Sequence, residues 1–318
     1  MVQTKEKTTI VTEREHYNYI WHDGQIIPWD EATVHVTDLE WSGVSSVFEG
    51  IKAYRNDGLD RAYIFRLDEH MARFANSMKL MRMNPEFSID ELKEAILELL
   101  RANDVRQDTY IRPFAYFGPG KWFGRMAETP THLLINSFPF ESHLKTDHKL
   151  NCCISSWTRI SDNVMPPRVK AVCNYQNSRL AATEADLAGY DGAILLNEQR
   201  KVAEGPGACI MIVQRGKVAT PPVTSGILES ITRYTLIHLL RHELGIEVAE
   251  REIDRTELYL ADEAFFCGTG AEVSPIISID RYPLGNGEVG PITRQMADLY
   301  HDLVRGTDHR YPEWRTLV

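Results

Sequence analysis

The stretch RVKAVCNYQNSRLAATEA, residues 168–185, sets a single lysine in a run of apolar residues. Lys170 lies between Val169 and Ala171, a pattern that predicts a strand, and apolar residues recur at helical spacing from Asn174 onward. The sequence therefore predicts that a strand delivers a lysine to the start of a helix. Two interpretations of Lys170 follow: a lysine on an edge strand that reaches water, or a buried amine retained for chemistry.

Size and composition restrict the class of protein. The 318 residues are enough for two domains of ordinary size, and 43% hydrophobic with 25% charged residues is typical of a globular protein. The net charge of -10 and the pI near 5.6 argue against a sequence-independent nucleic-acid binder. No apolar run approaches the ~18 residues that a membrane span needs, so we expect neither nucleic acid nor a membrane as a partner.

A cytoplasmic protein without a metal site is expected. The first residues carry mixed charge and lack the apolar core of an export signal. The five cysteines include no CxxC pair, which fits reduced thiols better than a disulfide scaffold. The motifs of P-loop enzymes, zinc proteases and α/β-hydrolases are absent, and the histidines are not spaced as metal ligands.

Local signals predict most of the elements. The clearest are two hairpins with turns at Asp23-Gly24 and Arg215-Gly216, helices over 66–81 and after Ser88, where Glu91 completes a capping box, and a last helix over 291–306. The many hairpins and the lack of regular βαβ alternation predict an α+β fold of two sheets rather than a doubly wound sheet. Polar, irregular sequence from about 139 to 150 predicts the boundary between two domains.

Two places are candidates to bind an anion. Ser230 is predicted to cap a helix whose free N–H groups, at Ile231 and Thr232, form an anion site. In CGTGAEVSP (267–275) two glycines flank Thr269, so that backbone amides and a hydroxyl can converge on a ligand oxygen. An ordinary N-cap and a plain β-turn are the alternatives.

Two charged residues add to these candidates. Arg233, in the first turn of the helix that Ser230 caps, opposes the helix dipole, and a bound anion would offset this. The alternative is a surface arginine. Glu204 closes a predicted strand and precedes Gly205-Pro206-Gly207, a backbone that can pass close to a flat ligand. A solvated side chain is the alternative for this acid.

Together these features match the requirements of pyridoxal phosphate (PLP). A lysine removed from water has a lowered pKa and can form a Schiff base with a carbonyl group. An anion site can hold the phosphate, and a carboxylate can pair with the ring nitrogen. Lys170, the two anion sites and Glu204 supply these groups.

The same residues resemble the signature of fold-type IV PLP enzymes. Its parts follow in chain order as Lys170-x3-Asn174-Tyr175-x2-Ser178-x5-Glu184-Ala185, Glu204-Gly-x-Gly, Ile231-Thr232-Arg233 and Gly268-Thr269-x-Ala271-Glu272-x2-Pro275. In the first half, SVFEGIKAY (46–54), FRLDEHMARF (65–74) and TYIRPF (109–114) are similar to branched-chain aminotransferases. The resemblance runs from about residue 18 to the C-terminus.

The resemblance implies roles for individual residues. Lys170 is implied as the Schiff-base lysine and as the base that moves the substrate's Cα proton. Tyr175 would bond the ring hydroxyl and Glu204 the ring nitrogen. The phosphate would be held by Arg73, by the amides of Ile231 and Thr232 and by the Thr269 hydroxyl. Substrate contacts are implied for Phe48, Lys52, Tyr110 and Arg112 and for the backbone of Gly270 and Ala271.

Three departures from the family pattern are visible. Gly43-Val44 stands where an aromatic-Gly pair is usual, which removes a ring from one pocket wall. Glu229-Ser230 replaces Pro-Gly, a change expected to keep the helix cap. Cys209 replaces an Asn near the cofactor ring and removes a polar anchor. These changes leave the choice of amino donor open.

The implied fold has two domains that enclose the cofactor. These are a small N-terminal α+β domain over 1–137, an interdomain loop over 138–147 and a large PLP-binding domain over 148–318. The family forms dimers in which a neighbour's loops complete each site. A homodimer or higher homo-oligomer is therefore expected.

The function implied is transfer of the amino group of branched-chain L-amino acids to 2-oxoglutarate, a 2-oxo acid acceptor. An (R)-selective amine or D-amino acid transaminase is the nearest alternative, kept open by Gly43 and Cys209. Aminodeoxychorismate lyase shares the scaffold but would release pyruvate without an acceptor. A non-catalytic PLP-binding protein is the last alternative.

Overall fold

The computed structural model describes residues 15–38, 43–118 and 128–318, which form two sheets and the helices around them. The α-helices are α1 (Leu67–Leu80), α2 (Ile89–Ala102), α3 (Tyr175–Leu187), α4 (Ile231–His242), α5 (Arg255–Tyr259) and α6 (Pro291–Arg305). The 3-10 helices span Trp29–Glu31, Val36–Asp38, Val172–Asn174, Val223–Ser225 and Pro312–Trp314. The α+β class and the two sheets are confirmed.

The first sheet is antiparallel and is covered on one face by α1 and α2. Its strands from the first half of the chain are β1 (Tyr19–His22), β2 (Gln25–Pro28), β3 (Val47–Phe48), β4 (Ile51–Asn56), β5 (Arg61–Phe65), β6 (Thr109–Phe117) and β7 (Thr131–Pro139). The predicted apolar stripe of α1, including Met71 and Phe74, is buried against this sheet. Ile96 and Leu99 of α2 enter the same core.

The second sheet is mixed and is buried on both faces. Its strands are β8 (Leu150–Thr158), β9 (Gly192–Leu196), β10 (Cys209–Gln214), β11 (Lys217–Thr220), β12 (Val248–Glu250), β13 (Glu263–Gly268), β14 (Glu272–Ile279) and β15 (Tyr282–Pro283). On β10, Met211 packs in the core with α4 and α6, whereas Ile210 and Ile212 pack in the core on the opposite face. From Cys209 to Val213 the strand carries no strongly polar side chain, because both of its faces are buried there.

The predicted turns and caps are confirmed. The turns Asp23-Gly24 and Arg215-Gly216 have positive φ at both residues, as two-residue hairpins require. Ser88 and Glu91 form the expected capping box of α2. The helix that begins after Ser230 is also present, and the Ser230 hydroxyl accepts a hydrogen bond from the Arg233 amide at 3.2 Å.

The prediction of a strand at Lys170 is wrong. Lys170 lies in an irregular segment, and its neighbour Ala171 makes only an isolated bridge to Val47 before a 3-10 turn leads into α3. Val169 and Ala171 are apolar because they are buried in the core of the first sheet. Burial of a non-strand segment thus produced the apolar pattern that resembled a strand.

The two sheets are joined by the segment between β7 and β8 and by the C-terminus. β7 ends at Pro139, two residues past the predicted end of the first domain. At the other end of the chain β16 (Arg315–Leu317) returns to the first sheet and pairs with β5. The last strand, which lies in the range 148–318, thus belongs to the sheet of the first half, and the division into two domains stays a prediction.

Candidate functional site

A cleft in the protein contains many of the predicted site residues. The space free of protein atoms in the cleft, together with the open solvent at its mouth, amounts to about 620 Å³. The predicted residues that line it are Arg73, Tyr110, Lys170, Tyr175, Glu204, Thr269 and Gly270. Ser230, which precedes Ile231 and Thr232, lines it as well. Residues from both sheets and from the start of α3 thus meet at one place.

Lys170 is fixed at this cleft by its backbone and its amine. Its carbonyl accepts a hydrogen bond from the Phe48 amide at 3.0 Å, and its own amide donates to Ser77 Oγ at 3.2 Å. The Nζ atom donates to the Tyr175 hydroxyl at 2.7 Å and lies 4.7 Å from the centre of the Phe48 ring. The amine is buried, and the first turn of α3 supplies its polar partner.

The expected lowering of the Lys170 pKa is wrong. Burial does lower this pKa, but the nearby phenols of Tyr175 and Tyr110 outweigh it, so the pKa of Lys170 is raised above its ordinary value. The amine is therefore protonated at neutral pH in this arrangement. Once it has lost that proton it is a stronger base than an ordinary lysine.

Glu204 is buried and paired with an arginine. Arg159 Nη2 lies 2.7 Å from Glu204 Oε1, and the Leu228 amide donates to Oε2 at 3.2 Å. Burial raises the pKa of Glu204, while the charge of Arg159 acts in the opposite direction. The solvated alternative for Glu204 is wrong. The sequence did not point to Arg159, since nothing in the segment Trp157–Ile160 marks a partner 45 residues away.

Cys209 keeps a polar contact at the position where the family has Asn. Its Sγ lies 3.7 Å from Glu204 Oε2 and 3.6 Å from the Leu228 carbonyl oxygen. Burial raises the pKa of the Cys209 thiol well above its ordinary value. The residue is therefore a neutral thiol that contacts the acid, and the polar anchor is weakened rather than removed.

The start of α4 offers amide groups beside the cleft. Ser230 Oγ accepts a hydrogen bond from the Arg233 amide, and the hydrogen bonds of the described residues include none donated by the amides of Ile231 and Thr232. The interpretation of Arg233 as a surface residue is wrong, because its side chain is fully buried. Its guanidinium donates to Thr220, to the Pro221 carbonyl and to Glu250. The Glu250 carboxylate, 3.0 Å from Arg233 Nη2, carries the opposite charge.

Arg73 reaches the cleft from α1 and is held by Glu49. The two side chains form two hydrogen bonds, of 2.7 and 2.8 Å, and Arg73 Nη1 donates to the Glu229 carbonyl at 2.8 Å. Bonds to the described residues thus use three of the five guanidinium N–H groups, which leaves two for a ligand within this part of the chain. Arg73 and His70 together hold the pKa of Glu49 well below its usual range despite its burial. The sequence did not identify Glu49 as part of the site.

The turn between β13 and β14 brings Thr269 and Gly270 into the cleft. Gly268 pairs with Glu272 across this hairpin, which leaves a three-residue turn. A Cβ atom on Gly270 would lie 3.9 Å from the Tyr110 ring, so the turn and the ring are in close proximity. The carbonyl of Ala271, the third residue of the turn, is directed towards His143, from which it accepts a hydrogen bond of 2.7 Å.

The remaining predicted substrate residues fall into two groups. The Arg112 guanidinium lies 5.0 Å from the centre of the Phe48 ring, and Lys170 Nζ lies 4.7 Å from the same centre, so both groups contact Phe48. Lys52 is not among the cleft-lining residues, and it is almost fully buried. Its Nζ atom lies 2.8 Å from Glu272 Oε1 instead. A direct contact between Lys52 and a substrate is not supported by this position.

The donor set at the cleft fits PLP. The described residues contribute a buried amine (Lys170), a phenol (Tyr175), a buried carboxylate (Glu204), an arginine (Arg73) and the start of a helix with free amides. These are the groups that an aldehyde, a ring hydroxyl, a ring nitrogen and a phosphate require. No cluster of three potential metal ligands occurs within the described ranges. No helix in the same ranges has the length and apolar character of a membrane span.

Comparisons with known proteins agree with this assignment. The family model described as "Amino-transferase class IV" matches residues 46–279. A "probable branched-chain-amino-acid aminotransferase" from Aquifex aeolicus is 42% identical over 301 residues, which cover 95% of this chain and 97% of that protein.

Two solved structures are similar over nearly the whole chain. The branched-chain amino acid aminotransferase from Thermobaculum terrenum in its PLP form has a TM-score of 0.92 and 53% identity, covering 96% of this chain and 99% of that chain. The enzyme from T.th., complexed with N-(5'-phosphopyridoxyl)-L-glutamate, has a TM-score of 0.88 and 38% identity, covering 94% of this chain and 98% of that chain.

Gly50 is predicted to be essential for the position of Tyr110. A Cβ atom at residue 50 would lie 1.9 Å from the Tyr110 hydroxyl oxygen and 2.7 Å from the ring carbon that bears it. The variant Gly50→Ala must therefore displace the ring, and we expect the rate of amino transfer per bound PLP to fall at least tenfold, or about 1.4 kcal/mol. Steady-state kinetics of the two proteins provide the comparison.

The control is the same substitution made in a Tyr110→Ala background. There the added methyl group meets no ring, so Gly50→Ala should change the rate by less than threefold. An equal loss in both backgrounds would show that the glycine acts independently of Tyr110.

Proposed function

This chain belongs to the class IV amino-transferase family and is of the branched-chain type, and from that premise we propose that it transfers the amino group of leucine, isoleucine and valine to 2-oxoglutarate. Its cofactor is PLP. Lys170 is the lysine that binds the cofactor in this proposal. The observation that carries it is the buried Lys170 amine, bonded to Tyr175 in the cleft that Glu204 also lines.

The residues of the cleft would hold the cofactor at four points. Lys170 would bind the aldehyde carbon, and the Tyr175 phenol the ring hydroxyl. Glu204, as a carboxylate, would accept a hydrogen bond from the protonated ring nitrogen. The phosphate would be held by groups that converge from three elements: Arg73, the amides of Ile231 and Thr232, and the Thr269 hydroxyl. The two unused N–H groups of Arg73 and the free amides of α4 support this assignment.

PLP supplies an electron-withdrawing ring that takes up the electron pair left when the substrate loses its Cα proton. The proton itself would be moved by Lys170 Nζ, which is free for this once the substrate amine has replaced it. Tyr175, 2.7 Å from Nζ, keeps the amine in position.

Glu204 must stay ionised to pair with the protonated ring nitrogen. Burial acts against this, and Arg159, 2.7 Å away, opposes the effect of burial. Arg159 therefore acts as a positioning residue that maintains the charge of the acid. The Cys209 thiol adds a weak contact to the same carboxylate.

The substrate would lie between Tyr110, Phe48 and the turn at Gly270 and Ala271. Arg112, beside the Phe48 ring, offers a positive charge for the second carboxylate of 2-oxoglutarate. The enzyme from T.th. was solved with a glutamate adduct of the cofactor, which supports glutamate and 2-oxoglutarate as the second substrate pair. The D-amino acid and (R)-amine alternatives are not favoured, since the relatives named above are of the branched-chain type.

A homodimer or higher oligomer and a cytoplasmic location stay predictions. Support for self-association comes from apolar side chains that are exposed in the first part of the chain: Ile26, Trp29, Val34, Val36 and Val44. A second copy of the chain would remove them from water. Sedimentation of the holoenzyme as a monomer would contradict this.

Removal of the Arg159 charge is predicted to shift the pH dependence of catalysis. In Arg159→Gln the buried Glu204 loses the charge that opposes burial, so its pKa rises further and more of it is protonated at a given pH. Because the ionised form is the active one, the acidic limb of the kcat profile should move to higher pH by at least one unit. Arg159→Lys, which keeps a charge, should move it less. Unchanged profiles in both variants would refute the role of Arg159.

The donor range is tested by the first half-reaction alone. L-leucine, L-valine, D-alanine and (R)-phenylethylamine are each added to the PLP form, and formation of pyridoxamine phosphate is followed by absorbance. We expect conversion with the two L-amino acids, and return to the PLP form when 2-oxoglutarate is added. Conversion with D-alanine or the amine but not with L-leucine would reject the branched-chain proposal.

A further inference from the structure

A buried ion pair links the two sheets directly behind the cleft. Lys52, on β4, and Glu272, at the start of β14, are 1% and 0% exposed, and Nζ lies 2.8 Å from Oε1. Lys52 Nζ also donates to the Glu141 carbonyl at 3.2 Å and lies 4.8 Å from the centre of the Phe140 ring. The ammonium group is therefore enclosed by protein, and Lys52 is not among the residues that line the cleft.

The second oxygen of Glu272 is held by the segment that joins the sheets. Glu272 Oε2 accepts hydrogen bonds from Ser142 Oγ at 3.0 Å and from the His143 amide at 2.9 Å. The His143 ring in turn reaches the Ala271 carbonyl at 2.7 Å through Nε2. One carboxylate thus joins the first sheet, the connecting segment and the β13–β14 hairpin.

Glu272 connects this network to the cleft because of its position in the chain. Glu272 directly follows the turn that carries Thr269 and Gly270 into the cleft, and it has a φ of 49°. A non-glycine residue with this φ is uncommon and requires support from its surroundings. The ion pair and the connecting segment supply that support, so the conformation of the turn depends on them.

Lys52 is also the register partner of Tyr110 on the adjacent strand. The Tyr110 ring lies close to the turn, since a Cβ atom on Gly270 would be 3.9 Å from it. Lys52 is therefore adjacent to the residues that the substrate would contact, although its amine is bonded to Glu272. Lys52 can therefore influence the substrate through Glu272 and the turn, without a contact of its own with the substrate.

We propose that Lys52 and Glu272 are positioning residues whose ion pair fixes the turn at Gly270 and Ala271 and thereby sets the affinity for the substrate carboxylate. The inference rests on the proposed function, in which that carboxylate lies at the backbone of the turn. A buried ion pair contributes little net stability compared with apolar residues of the same size, because both charges lose their water. Its effect here is on geometry.

The test is a double-mutant cycle with Lys52→Met, Glu272→Gln and the two combined. The probe is 4-methylpentanoate, which has the carboxylate and side chain of leucine but no reacting amine, and its binding to the PLP holoenzyme is followed by absorbance. Each single variant should weaken the probe at least tenfold, and should raise the KM for L-leucine similarly with kcat changed less than threefold. The double variant should be no weaker than the worse single variant, because both substitutions break one pair.

Lys52→Arg provides the rescue, since it retains the charge, and its affinity for the probe should stay within threefold of the unaltered protein. Glu263→Gln is the matched control. Glu263 is a buried carboxylate at the opposite end of β13 that accepts bonds from Ile292 and Thr293 at the start of α6. This variant should lower the thermal midpoint without weakening the probe. An equal loss of affinity in Glu263→Gln would show general loosening and would overturn the proposal.

Two other outcomes would contradict the inference. If Lys52 contacts the substrate directly, Lys52→Met weakens the probe while Glu272→Gln does not. If the effects of the two substitutions multiply, the residues act independently. Should the substitutions in the ion pair prevent folding, Ser142→Ala removes one bond to Glu272 and should weaken the probe several-fold, and no change would reject the proposal. Failure of the unaltered holoenzyme to bind the probe or to use L-leucine would instead count against the proposed function.

Discussion

Charged groups in the cleft region have lost most of their contact with water, and each therefore needs a partner within the protein. An isolated charge in such a place is so unfavourable that it would change its protonation state or disrupt the fold. The pairs Glu49–Arg73, Arg159–Glu204 and Lys52–Glu272 meet this requirement. Each pair also fixes the direction of a side chain or a turn at the cleft. The ion pairs that burial of charge requires therefore also determine the geometry of the site.

Lys170 meets the same requirement in another way. Its partner is the phenol of Tyr175, which is five residues away because α3 begins shortly after the lysine. Loss of this hydrogen bond leaves no carboxylate or guanidinium group without its partner, whereas breaking one of the three ion pairs does. The amine is therefore the one group in this set whose release from its contact is inexpensive, as expected of an amine that forms and breaks a bond in each catalytic cycle.

Much of the fold could be predicted because its signals are local. The capping box at Ser88 and the turn at Asp23-Gly24 depend on residues within four positions of one another. The strand at Lys170 was predicted wrongly because burial of Val169 and Ala171 in an irregular segment gives the same short pattern as a strand. Central strands of the second sheet, such as β10, lack the alternation of apolar and polar residues because both of their faces are buried.

The residues of the site that lie in short motifs could be predicted, whereas partners far apart in the chain could not. Lys170, Tyr175 and Glu204 belong to short motifs and were identified from the sequence. Arg159 was missed because the contact that gives it a role spans 45 positions, and the Lys52–Glu272 pair spans 220. Such partners meet only when the chain folds, and no short stretch of sequence indicates which residues will be in contact.

The proposed function depends most directly on Lys170 as the amine that carries PLP. Reduction of the holoenzyme with borohydride, digestion and mass spectrometry locate the lysine to which the cofactor was bound. We predict the label on the peptide that contains Lys170 and no label in Lys170→Ala. A label on Lys52 or another lysine, or unlabelled protein that still transfers amino groups, would contradict this.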